Sequence, residues 1–218
     1  MLTLEQFQDW HGRRVALKNL PRRLLALLAA TWAYRVLPIF ERQYPGYNQP
    51  RLAIEATVQW VIEPTPNNRT KVKDAAAAAA TYAAAAVAYA AAAVAYAAGN
   101  AVDVAAYVAG NAAAYVAGNA ATTANENLWP WLYETYQRCL GEGREWSPEW
   151  TTPETVAIAR KCVLELNKGD LPYLADALED AGYRYEADLE RLRSGQGEWS
   201  DWPVWNLIAN TTPAGSCT

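Results

Sequence analysis

Asp176, Glu179, Asp180, Asp188 and Glu190 form the densest group of carboxylates in the chain. Two carboxylates held in one cleft can divide acid and base work, one giving a proton while the other takes one. At the spacing found here they equally make a solvated face on two amphipathic helices, and ordinary charge patterning favours that face. Trp199, Trp202 and Trp205 follow, beside Glu198 and Asp201. Tryptophan is enriched at the centres of protein interfaces. It is also a good filler around helices that bring little bulk, and ten tryptophans spread through the flanks favour packing. The candidate partner-binding set is Asp176, Glu179, Asp180, Trp199, Asp201, Trp202 and Trp205.

Catalysis has little to work with. The single histidine, His11, stands beside Gly12 and Arg13 and near no serine or cysteine, so it reads as a surface or capping residue. Cys139, Cys162 and Cys217 lie 23 and 55 residues apart with no C-x-x-C pair. Zinc and disulfide scaffolds are therefore not expected, and the thiols read as reduced. No G-x-G-x-x-G, P-loop or G-x-S-x-G pattern occurs. These residues imply no catalytic residue, no metal and no cofactor. The start, Met1-Leu-Thr-Leu-Glu-Gln, has neither a basic region nor an apolar run, so a cytoplasmic location is expected.

Charge and composition are unevenly spread. Residues 1–74 carry 11 Lys/Arg and 6 Asp/Glu, while residues 75–218 carry 8 and 17. The basic run Arg13, Arg14, Lys18, Arg22 and Arg23 offers a nucleic-acid footprint, but a solvated helix face pairing with the acidic half is the simpler expectation. Of 44 alanines, 29 fall between Ala75 and Ala124, and all ten tryptophans lie outside that segment. Its uncharged stretches of 28 and 22 residues, Ala75–Val102 and Val104–Asn125, are long enough to cross a membrane. Composition argues against it. Leu, Ile and Phe are missing, tyrosines stand mid-segment, and Asp103 and three Gly-Asn pairs would sit at membrane depth.

The elements follow from periodicity and caps. Residues 3–19 predict a helix capped by Thr3 with Gln6 three residues on. Pro21 starts a second, which kinks or ends near Pro38. A third runs from about Pro50 to Ile62, burying Leu52, Ile54, Val58, Val61 and Ile62, with Arg51 and Glu55 forming a local ion pair. Alanine is the best helix former, so the central segment predicts helix. Tyr82, Tyr89 and Tyr96 recur every seven residues, and a break near Gly99 would fold the run into an antiparallel hairpin. Asn100, Asp103, Tyr107 and Asn111 would share one helical face, as a polar binding patch or as buried bonds fixing register. Later helices are expected over 126–140, from Pro153 towards Gly169, from Asp170 to Gly182, and over 183–193. A short tail helix would be capped by Ser200, with Trp199 stapled on Val204. The fold class is all-α.

Val36-Leu-Pro-Ile-Phe-Glu-Arg-Gln-Tyr-Pro, then Gln49-Pro-Arg-Leu-Ala-Ile-Glu-Ala with Trp60, then the alanine run with Ala-Gly-Asn and Ala-Ala-Tyr, resembles the immunity proteins of bacterial polymorphic toxin systems. The likeness covers about residues 30–125. It implies a small all-helical cytosolic protein that binds and neutralises a toxin. Relatives often carry Gly-His where this chain has Gly-Asn, at Asn100, Asn111 and Asn119, so no histidine-dependent site is implied here. Arg51, Glu55 and Trp60 match the motif and read as fold-holding. Leu171-Pro-Tyr-Leu-Ala-Asp-Ala-Leu-Glu-Asp-Ala-Gly with Leu189-Glu-Arg-Leu-Arg is similar to a short C-terminal segment of large bacterial proteins with alanine-rich middles; no activity comes with that likeness.

The expectation is an all-helical core domain over 1–141 with an alanine-rich hairpin at its centre. A helical extension over 142–195 and a Trp-rich tail over 196–218 complete it. Its role would be protein binding, with a basic toxin as the partner and steric blockade as the means. A structural, self-assembling subunit built on close-packed alanine helices is the alternative, which allows a homo-oligomer. Nucleic-acid and membrane partners are not expected.

Overall fold

The computed structural model describes residues 3–80 and 128–211. The expected alanine hairpin, its tyrosine stripe, the Gly-Asn pairs, the Asn100–Asn111 patch and Cys217 lie outside the described residues. Every regular element among the described residues is helical, so the fold is all-α. The chain divides into two compact units, residues 1–134 and 135–218.

In the first unit, the Thr3 hydroxyl accepts from Gln6 N and the Gln6 side chain accepts from Thr3 N, completing the expected capping box of α1 (Leu4–Gln8). The single helix expected over 3–19 is interrupted at Asp9. Its backbone is extended, and its carboxylate accepts from Gly12 N at 3.0 Å to cap α2 (Trp10–Lys18). The chain turns so tightly here that a Cβ on residue 12 would lie 2.1 Å from Gln6 O. Glycine is therefore required for the approach.

α3 (Arg22–Gln43) continues past Pro38, so the helix does not end there. Every residue from Leu24 to Ala33 is buried, the pattern of a helix enclosed on all sides rather than one with a wet face. α3 packs on α4 (Gln49–Ile62), and α4 packs on α5 (Pro66–Ala80). α5 begins at Pro66, a residue type that suits a first helical turn. The buried face of α4 includes Ile54, Val58, Trp60, Val61 and Ile62. Leu52, expected among them, is exposed. Phe7 of α1 meets the ring of Trp32 at 6.2 Å and that of Tyr133 at 5.5 Å, joining α1, α3 and the start of α6 (Trp129–Leu140) in one core.

The second unit takes in the end of α6, two 3₁₀ turns at Gly141–Gly143 and Pro148–Trp150, and four helices. These are α7 (Pro153–Leu164), α8 (Leu171–Asp180), α9 (Glu186–Arg193) and α10 (Trp202–Asn210). α7 packs on α8 and α10, and α8 packs on α9. Thr152 caps α7 with Pro153 behind it, as the residue types predict. Asp170 precedes α8 but makes no cap bond; its carboxylate goes instead to Lys161 at 2.8 Å. The tail helix begins one residue later than a Ser200 cap implies, and no side-chain hydrogen bond caps it. Asp201 holds the cap position, and the buried Ser200 hydroxyl makes no hydrogen bond. Trp199, Tyr183, Leu171, Leu174, Leu178, Val204 and Leu207 form the core, all fully buried. Each large apolar side chain there contributes about 2 kcal/mol by leaving water.

Candidate protein-interaction surfaces

The tail tryptophans are packing residues. Trp199, Trp202 and Trp205 are buried, and so is Asp201, so these four members of the candidate set lie inside the second unit. Asp201 Oδ1 lies 3.2 Å from Arg138 Nε, and Oδ2 accepts from Glu198 N at 3.0 Å. Complete burial pushes the Asp201 carboxyl up to about 6, against the pull of Arg138 and the Glu198 N–H. Glu198, also buried, takes Lys168 at 2.6 Å, and that ammonium stands 5.8 Å from the Trp199 ring.

The exposed carboxylates are arranged differently. Asp176 and Glu179, one turn apart on α8, both reach Arg193 of α9, with Asp176 at 3.0 Å. Their hydrogen bonds raise the Arg193 pKa. Asp180 is exposed beside them. The structure thus brings Asp176, Glu179 and Asp180 to the exposed side of one helix. It separates from them Asp188, which is buried on α9.

Asp188 belongs to an aromatic cluster that residue spacing did not reveal. Gly141 ends α6, and the chain then passes Arg144, Trp146 and Trp150 before α7. Tyr183 and Tyr185 enter from the turn between α8 and α9. Trp146 meets Trp150 at 5.3 Å and Trp202 at 5.4 Å; Trp150 meets Tyr183 at 4.8 Å and Tyr185 at 5.9 Å. Steep interplanar angles, between 72° and 90°, give these contacts the edge-to-face geometry aromatic pairs prefer. The Arg144 guanidinium stands 4.7 Å from the Trp202 ring and 4.9 Å from the Tyr185 ring, and its Nε donates to Gly141 O at 2.7 Å. Its charge is met by Asp188 at 2.5 Å, and the Tyr183 hydroxyl donates to the same carboxylate oxygen. Burial first, and then the bond to Asp188, push the Tyr183 hydroxyl well above its ordinary range. Nothing in the spacing of Trp146 and Trp150 couples them to Tyr183 and Tyr185, more than thirty positions on.

The basic run is not a solvated face throughout. Arg13 is buried, donates to Phe7 O and Gln8 O at 3.0 and 2.9 Å, and stands 4.9 Å from the Trp129 ring. Arg23 Nε donates to Val61 O at 2.9 Å. Both cations thus satisfy carbonyls at helix C-termini, where positive charge is favoured. Arg51 pairs with Glu41 of α3, at 2.7 and 2.8 Å, instead of with Glu55 on its own helix. That pair joins the two sequence segments that carry the immunity-protein likeness.

A family model described as Imm-5 like putative immunity protein matches residues 16–128. The chain belongs to that family. The match spans just over half of the 218 residues and falls within the first unit, so the second unit lies beyond it. Comparisons with curated proteins and with solved structures found no match. Among the described residues no group of three or more His, Cys, Asp or Glu is placed to hold a metal ion. No described helix is long and apolar enough to cross a membrane.

Proposed function

We propose that this chain is an immunity-type protein that neutralises a toxin by binding it and covering its working surface. Membership of the immunity family over residues 16–128 carries this reading. On it, the protein acts in the bacterial cytoplasm by steric blockade, without catalysis of its own. Residues 135–218 hold eight Lys/Arg against fourteen Asp/Glu, a net of −6, which suits a basic partner such as a nuclease toxin. Complementary charge speeds such encounters. The exposed α8 carboxylates Asp176, Glu179 and Asp180 are the proposed contribution of that helix to the contact.

The test is co-expression with the toxin encoded beside its gene. The expected result is survival of the host and a one-to-one complex on size-exclusion chromatography, with association slowed by salt. A chain that gives no protection and elutes only as its own oligomer would overturn the reading in favour of a self-assembling structural role.

A further inference from the structure

We propose that Trp146, Trp150 and Tyr185 seat a cationic side chain, Arg or Lys, of the bound protein; this rests on the toxin-binding reading and deepens it. The three residues come from two chain segments, touch in one cluster, and are half-buried where Tyr183 and Trp202 behind them are enclosed. Aromatic side chains grouped at a surface and ringed by polar residues are the anatomy of an interface centre.

Charge selects the occupant. The same cluster already holds one guanidinium, Arg144, against Trp202 and Tyr185, with Asp188 cancelling its charge. Each of the three outer rings has an exposed glutamate as its immediate neighbour in sequence: Glu145 beside Trp146, Glu149 beside Trp150, and Glu186 beside Tyr185. Among the described residues none of these glutamates pairs with a cation. Of the unit's other cations, Lys161 pairs with Asp170, Lys168 with Glu198, and Arg193 with Asp176 and Glu179, while Arg184, next to Tyr185, donates to the Glu179 and Tyr183 carbonyls. Aromatic rings with exposed glutamates next to them in the chain favour a cation from outside over a phosphate. The seat lies in the second unit, beyond the family match, so it would add partner selectivity to the family's shared part.

The experiment titrates the full-length chain with acetyl-tetra-arginine amide and acetyl-tetra-lysine amide, following the indole N–H signals by NMR. The Trp146 and Trp150 signals should shift and saturate, with tetra-glutamate inert. The exposed-site variant Glu149→Lys/Glu186→Lys should weaken the peptide by about tenfold. Glu5→Lys/Glu165→Lys, equal in charge change but placed elsewhere, should stay within about twofold. Equal weakening by both variants, or shifts spread over all tryptophans, would overturn the seat and leave only general charge attraction. Toxin protection is scored in parallel. Loss of protection only in Glu149→Lys/Glu186→Lys supports the seat. Protection by both variants together with no localised peptide binding sinks the seat and leaves the toxin reading standing. No protection by the parent chain with localised binding intact sinks the toxin reading alone.

Discussion

Arg51 places two nitrogens on the two oxygens of Glu41, at 2.7 and 2.8 Å, across the turn between α3 and α4. The hydrogen bonds to Glu41 are what raise the guanidinium pKa most. The pair is partly wet, with 38% and 32% of the two side chains exposed, so water screens it. A double-mutant cycle with Arg51→Ala and Glu41→Ala is expected to give a coupling of about 0.5–1 kcal/mol, at the upper end for surface pairs because the geometry is bidentate. Arg51→Lys keeps the charge and loses the fork, so it should recover less than half of that coupling. A coupling near zero in urea unfolding would mean the two segments are joined by packing alone.

Gly141 has no room for a side chain. A Cβ there would lie 2.1 Å from Trp202 Nε1, and the residue sits at φ +68°. Gly141→Ala therefore meets two costs, about 1 kcal/mol for the left-handed backbone and about 1–3 kcal/mol for displacing a buried indole. Thermal unfolding should show a clearly lower midpoint. Gly143→Ala shares the positive φ, +77°, but meets nothing within 4 Å, so it should lose only the first part. Equal losses in the two variants would show that Trp202 yields freely.

The helical plan was readable because caps and breakers act over three or four residues. Thr3 with Gln6, Thr152 with Pro153, and Gly182 all mark helix ends where their types predict. The partners that cross between elements were not readable. Arg51 had a glutamate on its own helix at ideal spacing, yet the fold offered Glu41 with better geometry. Asp188 looked like one of five surface carboxylates, and only the turn at Tyr183 folds it inward onto Arg144. The tail tryptophans presented both their readings at once, and burial separates them.

Asp188 is the anion on which three groups depend. Arg144, the Tyr183 hydroxyl and, at 3.3 Å, Arg191 all turn to it. Asp188→Ala leaves the Tyr183 hydroxyl without its acceptor and the Arg144 guanidinium without its anion, with only Gly141 O still accepting from it, and should cost about 3 kcal/mol. Tyr183→Phe removes one donor while the carboxylate keeps two arginines, so about 1 kcal/mol is expected. Urea unfolding of both variants decides the order. A smaller loss for Asp188→Ala than for Tyr183→Phe would mean that Arg144 finds another anion.

Cys139 and Cys162 should be silent towards thiol reagents in the folded protein. Both are buried, and burial raises both thiols, Cys162 to about 11. At pH 8 about one Cys162 in a thousand is then thiolate, against roughly a quarter of an unfolded cysteine. In a Cys217→Ser background, labelling by a disulfide reagent should slow at least about 100-fold relative to the urea-unfolded chain. A native rate within tenfold of the unfolded one would show that the second unit opens readily.

Asp201 sets a pH dependence whose sign follows from its burial. An unfolded aspartate titrates near 3.9, and Asp201 is pushed up to about 6 in the fold. Between those values the folded chain keeps a proton that the unfolded chain releases, so stability falls as pH rises from about 4 to about 6 and is level above. The loss is about 2–3 kcal/mol for a shift of that size. Arg138, Glu198 and Arg191 are the charges that act on it, and the two arginines limit the shift while Glu198 adds to it. Asp201→Asn cannot ionise and should lack this fall, although it also leaves Arg138 without its anion and so is displaced by a constant amount. Urea midpoints measured from pH 4 to 7 should therefore converge or cross between the two proteins. Parallel profiles would mean that Asp201 is ionised throughout, held by Arg138 more strongly than burial opposes it.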